Sequence, residues 1–230
     1  MAAKVIVGVE TAGRDGSVAL VRCTEGTNCE TLALEPLTGR SYSAELIPKL
    51  AAMLSAARLD KSHIDSFAAG TGPGSFTGLR VGLSTIKALA EVLLKPIAPV
   101  SLLEAMAWTI APAPSVMVAL DAGRDQVFVG EYLTRSVALP TPLRESLLSL
   151  EELAMELNST GHPVYTPDRG LMEIVKACGT RAVFVERPRA DMIARLGSVK
   201  LVAGQGITPE ALDANYIRRS DAEVFAKPGA

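Results

Sequence analysis

The sequence predicts an α/β protein of two subdomains, each a mixed sheet with flanking helices. Three observations predict it. Two short apolar runs each end in an acid and are followed by a turn and a second strand-like run: Val5-Ile6-Val7-Gly8-Val9 before Glu10, and Ser115 to Leu120 before Asp121. Short β-rich runs alternate with longer segments whose apolar residues recur at helical spacing. Ala111-Pro112-Ala113-Pro114 interrupts the chain near its middle, where paired prolines mark a boundary. The expected subdomains are residues 1–110 and residues 111–230, the second one smaller or degenerate. A chain of 230 residues has room for one large domain or two small ones.

The first half opens with a buried strand over residues 4–11 and a turn at Ala12-Gly13-Arg14-Asp15-Gly16. Strands over residues 17–23 and 29–35 follow, joined by the short loop Thr24-Glu25-Gly26-Thr27-Asn28, which makes them antiparallel. Residues 41–59 form a helix carrying Leu46, Leu50, Met53, Leu54 and Ala57 at helical spacing. Pro48 lies in its first turns or kinks it, because proline has no N–H to donate. Tyr42 packs at the helix start and His63 is a solvated residue before the strand at residues 64–70. A strand over residues 96–101 leads into Ser101-Leu102-Leu103-Glu104, a capping-box pattern that opens a helix to about residue 110.

The second half places strands at residues 115–120 and 126–134 and a helix at residues 150–157. A strand at residues 163–166 follows. Pro167 and Asp168 open a helix that runs to Cys178. A strand at residues 182–186 precedes a helix starting at Pro188, and residues 199–206 continue as helix or loop. Asp121, Arg124 and Asp125 form either a functional cluster or a turn held by Asp–Arg pairing. The charged tail from Arg218 to Glu223 reads as a solvated end.

The stretch from Gly70 to Leu89 organises the chain. It reads as a strand end, a glycine turn and a helix, with Gly70, Gly72, Gly74, Gly78 and Gly82 close together. A glycine turn can aim backbone N–H groups at a ligand, and Ser75 or Thr77 can cap the helix. A glycine loop feeding a helix N-terminus is a ready anion site, and a tight connection that binds nothing has the same pattern. No Gly-Lys-Ser/Thr follows, so this is not a Walker loop. The helix itself is apolar over more than half its circumference. Leu79, Leu83, Ile86, Ala90 and Leu93 form one stripe, and Gly78, Gly82, Thr85, Leu89 and Val92 form a second. The small stripe suits either a central helix buried in its own domain or a subunit interface.

Composition narrows the function classes. The chain is 48% hydrophobic and 21% charged with a net charge of −2, which fits a soluble globular protein. There is no basic excess of the kind that marks direct nucleic-acid binding. Cys23, Cys29 and Cys178 give no disulfide framework and no Cys-x-x-Cys pair. Symmetric pairing about Gly26 sets Cys23 opposite Cys29, and a cytoplasmic setting keeps all three as thiols. The opening Met-Ala-Ala-Lys is not a signal peptide, and no apolar run approaches a membrane span. Two histidines far apart, no metal quartet and no Ser-His-Asp order leave catalysis without obvious residues.

Residues 70–82, Gly-Thr-Gly-Pro-Gly-Ser-Phe-Thr-Gly-Leu-Arg-Val-Gly, resemble the signature of the TsaB (YeaZ) family. Val9-Glu10-Thr11 with Ser17-Val18-Ala19-Leu20 resembles that family's opening strand and hairpin, and Asn215-Tyr216-Ile217-Arg218 resembles its Tyr-Leu-Arg close. The segment from Asp121 to Phe128 is similar to its Asp-Ala-Arg…Glu-Val-Tyr stretch, with an extra Gly123, Gln126 for Glu and Phe128 for Tyr. The resemblance implies the actin-like ATPase (ASKHA) fold. It also implies a subunit with no activity of its own that dimerises with TsaD and activates threonylcarbamoyl transfer to adenosine 37 of tRNA. The implied partners are TsaD, a TsaE-type ATPase, tRNA indirectly through the complex, and a second copy when the chain is alone. The related catalytic family, TsaD, carries two metal-binding histidines four apart, a pair this chain lacks.

The resemblance puts the subunit interface on the helix at residues 41–59 and the one after the glycine turn. The residues expected there are Leu46, Leu50 and Met53 on the first, and Gly78, Leu79, Gly82, Thr85, Ile86 and Leu89 on the second. In the actin-like superfamily an acid ends the first strand and the next turn touches phosphates. Glu10 and Thr11 occupy those places, with Gly72, Gly74 and Ser75 as the glycine loop, and ATP or ADP is expected at the interface with TsaD. The alternative is an ATP-dependent phosphotransferase of the same superfamily, using Glu10, Asp121 and the glycine loop.

Overall fold

The computed structural model describes residues 3–24, 28–39, 41–135 and 138–217. Its first half runs β1 (Lys4–Glu10), β2 (Asp15–Thr24), β3 (Asn28–Thr38), α1 (Tyr42–Ala56), β4 (Ile64–Gly72), α2 (Phe76–Leu93), β5 (Ile97–Ser101) and α3 (Leu102–Trp108). Its second half runs β6 (Ala113–Gly123), β7 (Gln126–Thr134), β8 (Thr141–Ser149), α4 (Leu150–Thr160), β9 (Val164–Thr166), α5 (Arg169–Ala177), β10 (Ala182–Phe184) and α6 (Ala190–Val202). The two halves share one order of elements. Their sheets share one topology as well, β3-β2-β1-β4-β5 and β8-β7-β6-β9-β10. In each, two antiparallel pairings link the first three strands and the last two strands run parallel to the first. This duplicated mixed sheet is the actin-like fold.

Burial follows from the sequence pattern. β1 is apolar at consecutive positions because helices cover both of its faces: α1 and α2 lie on one side and α6 on the other. The third helix of each half crosses to the other half. α3 packs on β6 and β7, and α6 packs on β1, β2, β4 and β5. The segment expected as helix and then helix or loop is the single helix α6, which lies on the first sheet.

Several local readings change. Ser101 caps α3 by accepting the Glu104 N–H at 3.5 Å, but the Glu104 carboxylate does not complete the box. It takes Lys200 Nζ from α6 at 2.7 and 2.9 Å instead. Asp168 precedes α5 without capping it and accepts the Asp121 N–H at 2.8 Å. β8 is absent from the sequence reading. Its sequence TPLRESLLS has no strict alternation and carries Pro142, which suits a strand paired on one side only.

Cys23 does sit opposite Cys29 in the β2–β3 register, although Glu25-Gly26-Thr27 lies outside the described residues. The structure joins the two by a disulfide, which corrects the expectation of three thiols. Directly opposed residues of an antiparallel pair point to the same face and come close enough to bond. Cys178 is free. Thiol titration of unfolded protein without reductant is expected to find one thiol, and three after reduction.

Candidate functional site

A cleft of about 1170 Å³ opens where the two halves meet, between the β1–β2 turn, the first turn of α2 and the β6–β7 turn. The turn after β1 and the glycine loop are tied directly, since Ser75 N–H donates to the Ala12 carbonyl at 2.7 Å. The Ser75 hydroxyl accepts the Gly78 N–H at 3.3 Å and caps α2 as the sequence suggests. Tyr42, from the start of α1, donates its hydroxyl to the Gly13 carbonyl at 3.0 Å. It therefore braces the turn as well as packing against it. Gly72, in the loop, has φ of 107°, a conformation that glycine adopts without strain.

Four arginines, Arg14, Arg80, Arg124 and Arg187, line the cleft against two acids, Asp15 and Asp121. Arg80 lies over the Phe76 ring at 3.8 Å, and Tyr216 packs on the same ring with centroids 5.4 Å apart. Arg187 reaches Asp168 at 3.8 Å. The β6–β7 turn takes its shape from Arg124 and Asp125, both at positive φ, and from the Asp121 carboxylate, which accepts the Gly123 N–H at 2.8 Å. Positive lining around a helix N-terminus suits an anionic group. Among the described residues, no three His, Cys, Asp or Glu side chains converge as a metal site.

The expected nucleotide residues divide. Gly74 and Ser75 line the cleft, whereas Glu10, Thr11 and Gly72 lie behind its wall. Glu10 is 2% exposed, and its Oε1 accepts the Ala12 N–H at 2.6 Å. Burial pushes its carboxyl up to about 7, with the Ala12 N–H and the Arg187 charge holding it down. The same burial, with the nearby Glu10 charge, pushes the Tyr42 hydroxyl up to about 12. Near neutral pH Glu10 is thus part protonated, which suits a structural acid better than a ligand for a metal or phosphate.

The expected interface residues divide too. Leu46, Leu50, Met53, Leu79 and Ile86 are all buried in the chain's own core, while Thr85 and Leu89 are half-buried. Gly78 and Gly82 are buried against Thr11: a Cβ at Gly78 would stand 2.1 Å from the Thr11 carbonyl oxygen, and one at Gly82 2.2 Å from its hydroxyl. At Gly78 and Gly82 the small stripe therefore admits Thr11, just past the end of β1, while Val92 of the same stripe is exposed. The outer faces of the same two helices are the ones left open. Arg187 and the bracing role of Tyr42 escaped the sequence reading, because neither position carries a local pattern.

A family model described as TsaD, tRNA N6-adenosine threonylcarbamoyltransferase, matches residues 36–173. The TsaB protein of Haemophilus influenzae is 31% identical over 135 residues, 57% of this chain and 55% of that protein. The chain thus spans about half the length of that relative in the matched region. The TsaB protein of Bacillus subtilis is 26% identical over 231 residues, 95% of this chain and 96% of its own. The chain belongs to the TsaD-type family, on its TsaB (YeaZ) branch. The structure named YeaZ from Pseudomonas aeruginosa superposes on this TsaB-family chain with a TM-score of 0.71 at 25% identity, covering 92% of this chain and 100% of that one. Among the described residues no helix is long and apolar enough to cross a membrane.

Proposed function

We propose that this chain serves N6-threonylcarbamoyladenosine formation on tRNA as the subunit that docks on TsaD and activates it, with no transfer chemistry of its own. One observation carries the docking: every exposed position of α1 is uncharged. They are Ser43, Ala44, Ile47, Pro48, Ala51, Ala52, Ser55 and Ala56. A helix face turned to water normally carries charge, and an uncharged apolar face marks an interaction surface. α2 packs beside α1 and extends the patch with exposed Ser84, Ala88 and Val92, which the exposed charges of Arg80 and Glu91 border on the same helix. Small side chains on both helices let two helices of a partner approach closely. The same face would serve a homodimer when the chain is alone.

ATP or ADP at the junction with TsaD would meet this chain at Gly74, Ser75 and the first turn of α2. A TsaE-type ATPase and tRNA would join through the complex. The phosphotransferase reading needs Glu10 at a reacting phosphate, and Glu10 lies behind the cleft wall. The test uses Ala51→Glu and Ala88→Arg, both at exposed positions. Each is expected to leave circular dichroism and melting temperature unchanged. Each is expected to weaken binding to a TsaD partner at least 100-fold and to abolish stimulation of tRNA modification, because a charge is desolvated without a partner. Folded variants that bind TsaD with unchanged affinity would move the interface elsewhere.

A further inference from the structure

We propose that residues 207–217 form a strap that ties the two halves together, latched by Asn215 on Glu145, and that this latch holds the glycine loop and the first turn of α2 in place. The strap starts on the first sheet, where Ile207 and Ile97 exchange both backbone hydrogen bonds at 2.8 and 3.0 Å. It then crosses α2, where Leu212 is 2% exposed and its carbonyl accepts Lys87 Nζ at 2.9 Å. Asn215 makes the crossing between halves. Its N–H donates to the Thr71 carbonyl of β4 at 2.8 Å, while its Nδ2 donates to Glu145 Oε2 of β8 at 2.5 Å.

Glu145 is the node of this arrangement. Its other oxygen, Oε1, accepts the Ser101 hydroxyl from the end of β5 at 2.7 Å and the Tyr132 hydroxyl from β7. One carboxylate thus gathers donors from the first sheet, the second sheet and the strap. A charged acceptor with three partly buried donors is strong, and losing any one leaves a polar group to be rehydrated. One residue further on, Tyr216 packs on Phe76, the first residue of α2, and Asn215 and Tyr216 both line the large cleft. The strap is therefore the element through which β8 of the second sheet reaches the glycine loop. This inference concerns the chain by itself and does not rest on the TsaD reading.

Native-state hydrogen exchange on the full chain tests it with Asn215→Ala, Glu145→Ala and the double variant. The Asn215 and Ser75 amides are expected to exchange at least 10-fold faster in each single variant, while the Gly8 and Val118 amides in the sheet centres keep their rates. The double variant is expected to exchange no faster than the faster single one, because both remove the same contact. Unchanged rates at Asn215 and Ser75, equal acceleration throughout the chain, or additive effects in the double variant would each overturn the latch. If Glu145→Ala does not fold, Asn215→Ala alone decides by the same amides.

Discussion

Gly78→Ala is expected to destabilise the chain by about 3 kcal/mol, at the upper end of the range for overpacking a close-packed interior. The new Cβ would stand 2.1 Å from the Thr11 carbonyl oxygen and 3.1 Å from the Tyr42 ring. A backbone oxygen at the end of β1 cannot rotate away, so either α2 moves outward or the turn after β1 distorts. Gly82→Ala is expected to be milder. Its Cβ meets the Thr11 hydroxyl at 2.2 Å, and a side chain can leave, so Thr11→Ala in the same chain should recover most of the loss. No second change should rescue Gly78→Ala in this way. Urea unfolding of the parent chain, of Thr11→Ala, and of Gly78→Ala and Gly82→Ala each with and without Thr11→Ala measures both effects as two cycles. Equal rescue at the two positions would mean that α2 yields as a whole. Gly82→Arg, at a buried glycine, is expected not to fold.

That pair of glycines shows where sequence and structure part. The helical periodicity of α2 is legible, and so are its cap at Ser75 and the two apolar stripes. Which stripe faces inward is not. A run apolar over more than half its circumference fits a helix covered on two sides as well as one covered on one side and docked on the other, and only the position of Thr11 decides. The proposed docking face is illegible in the sequence for a related reason. Ala44, Ala51, Ala52, Ser55 and Ala56 read as ordinary helix formers, and their meaning appears only once all of them are seen exposed together with no charge among them. Patterning does carry the duplicated fold, since an apolar run ending in an acid and followed by a turn begins each half. It fails at β8, where a strand paired on one side needs no strict alternation. It also fails at Arg187 and Glu145, whose partners lie far along the chain. The cleft was half legible. Gly74 and Ser75, two of the residues named for nucleotide, line it, whereas Glu10 sits behind the wall, its carboxylate accepting the Ala12 N–H.

Glu10 should make stability depend on pH in a direction opposite to most carboxylates. Burial raises its pKa in the folded chain from the ordinary 4.5 to about 7. Between those values the folded chain holds a proton that the unfolded chain has released, so stability falls as pH rises. The contribution is fully present below pH 4.5 and is lost by the time pH passes 7. A shift of that size corresponds to about 3 kcal/mol across the window. Glu10→Gln keeps an oxygen that can accept the Ala12 N–H and removes the proton. The variant is therefore expected to gain on the parent chain as pH rises from 5 to 8, with the difference between the two growing by about 2.5 kcal/mol, and to hold that gain above pH 8. Urea unfolding of both chains at pH 5, 6, 7 and 8 measures it. A difference that stays flat over this range would mean that Glu10 is ionised in the folded chain. Arg187 and the N–H groups of the turn would then outweigh burial, and the carboxylate behind the cleft wall would be a buried charge held by those groups.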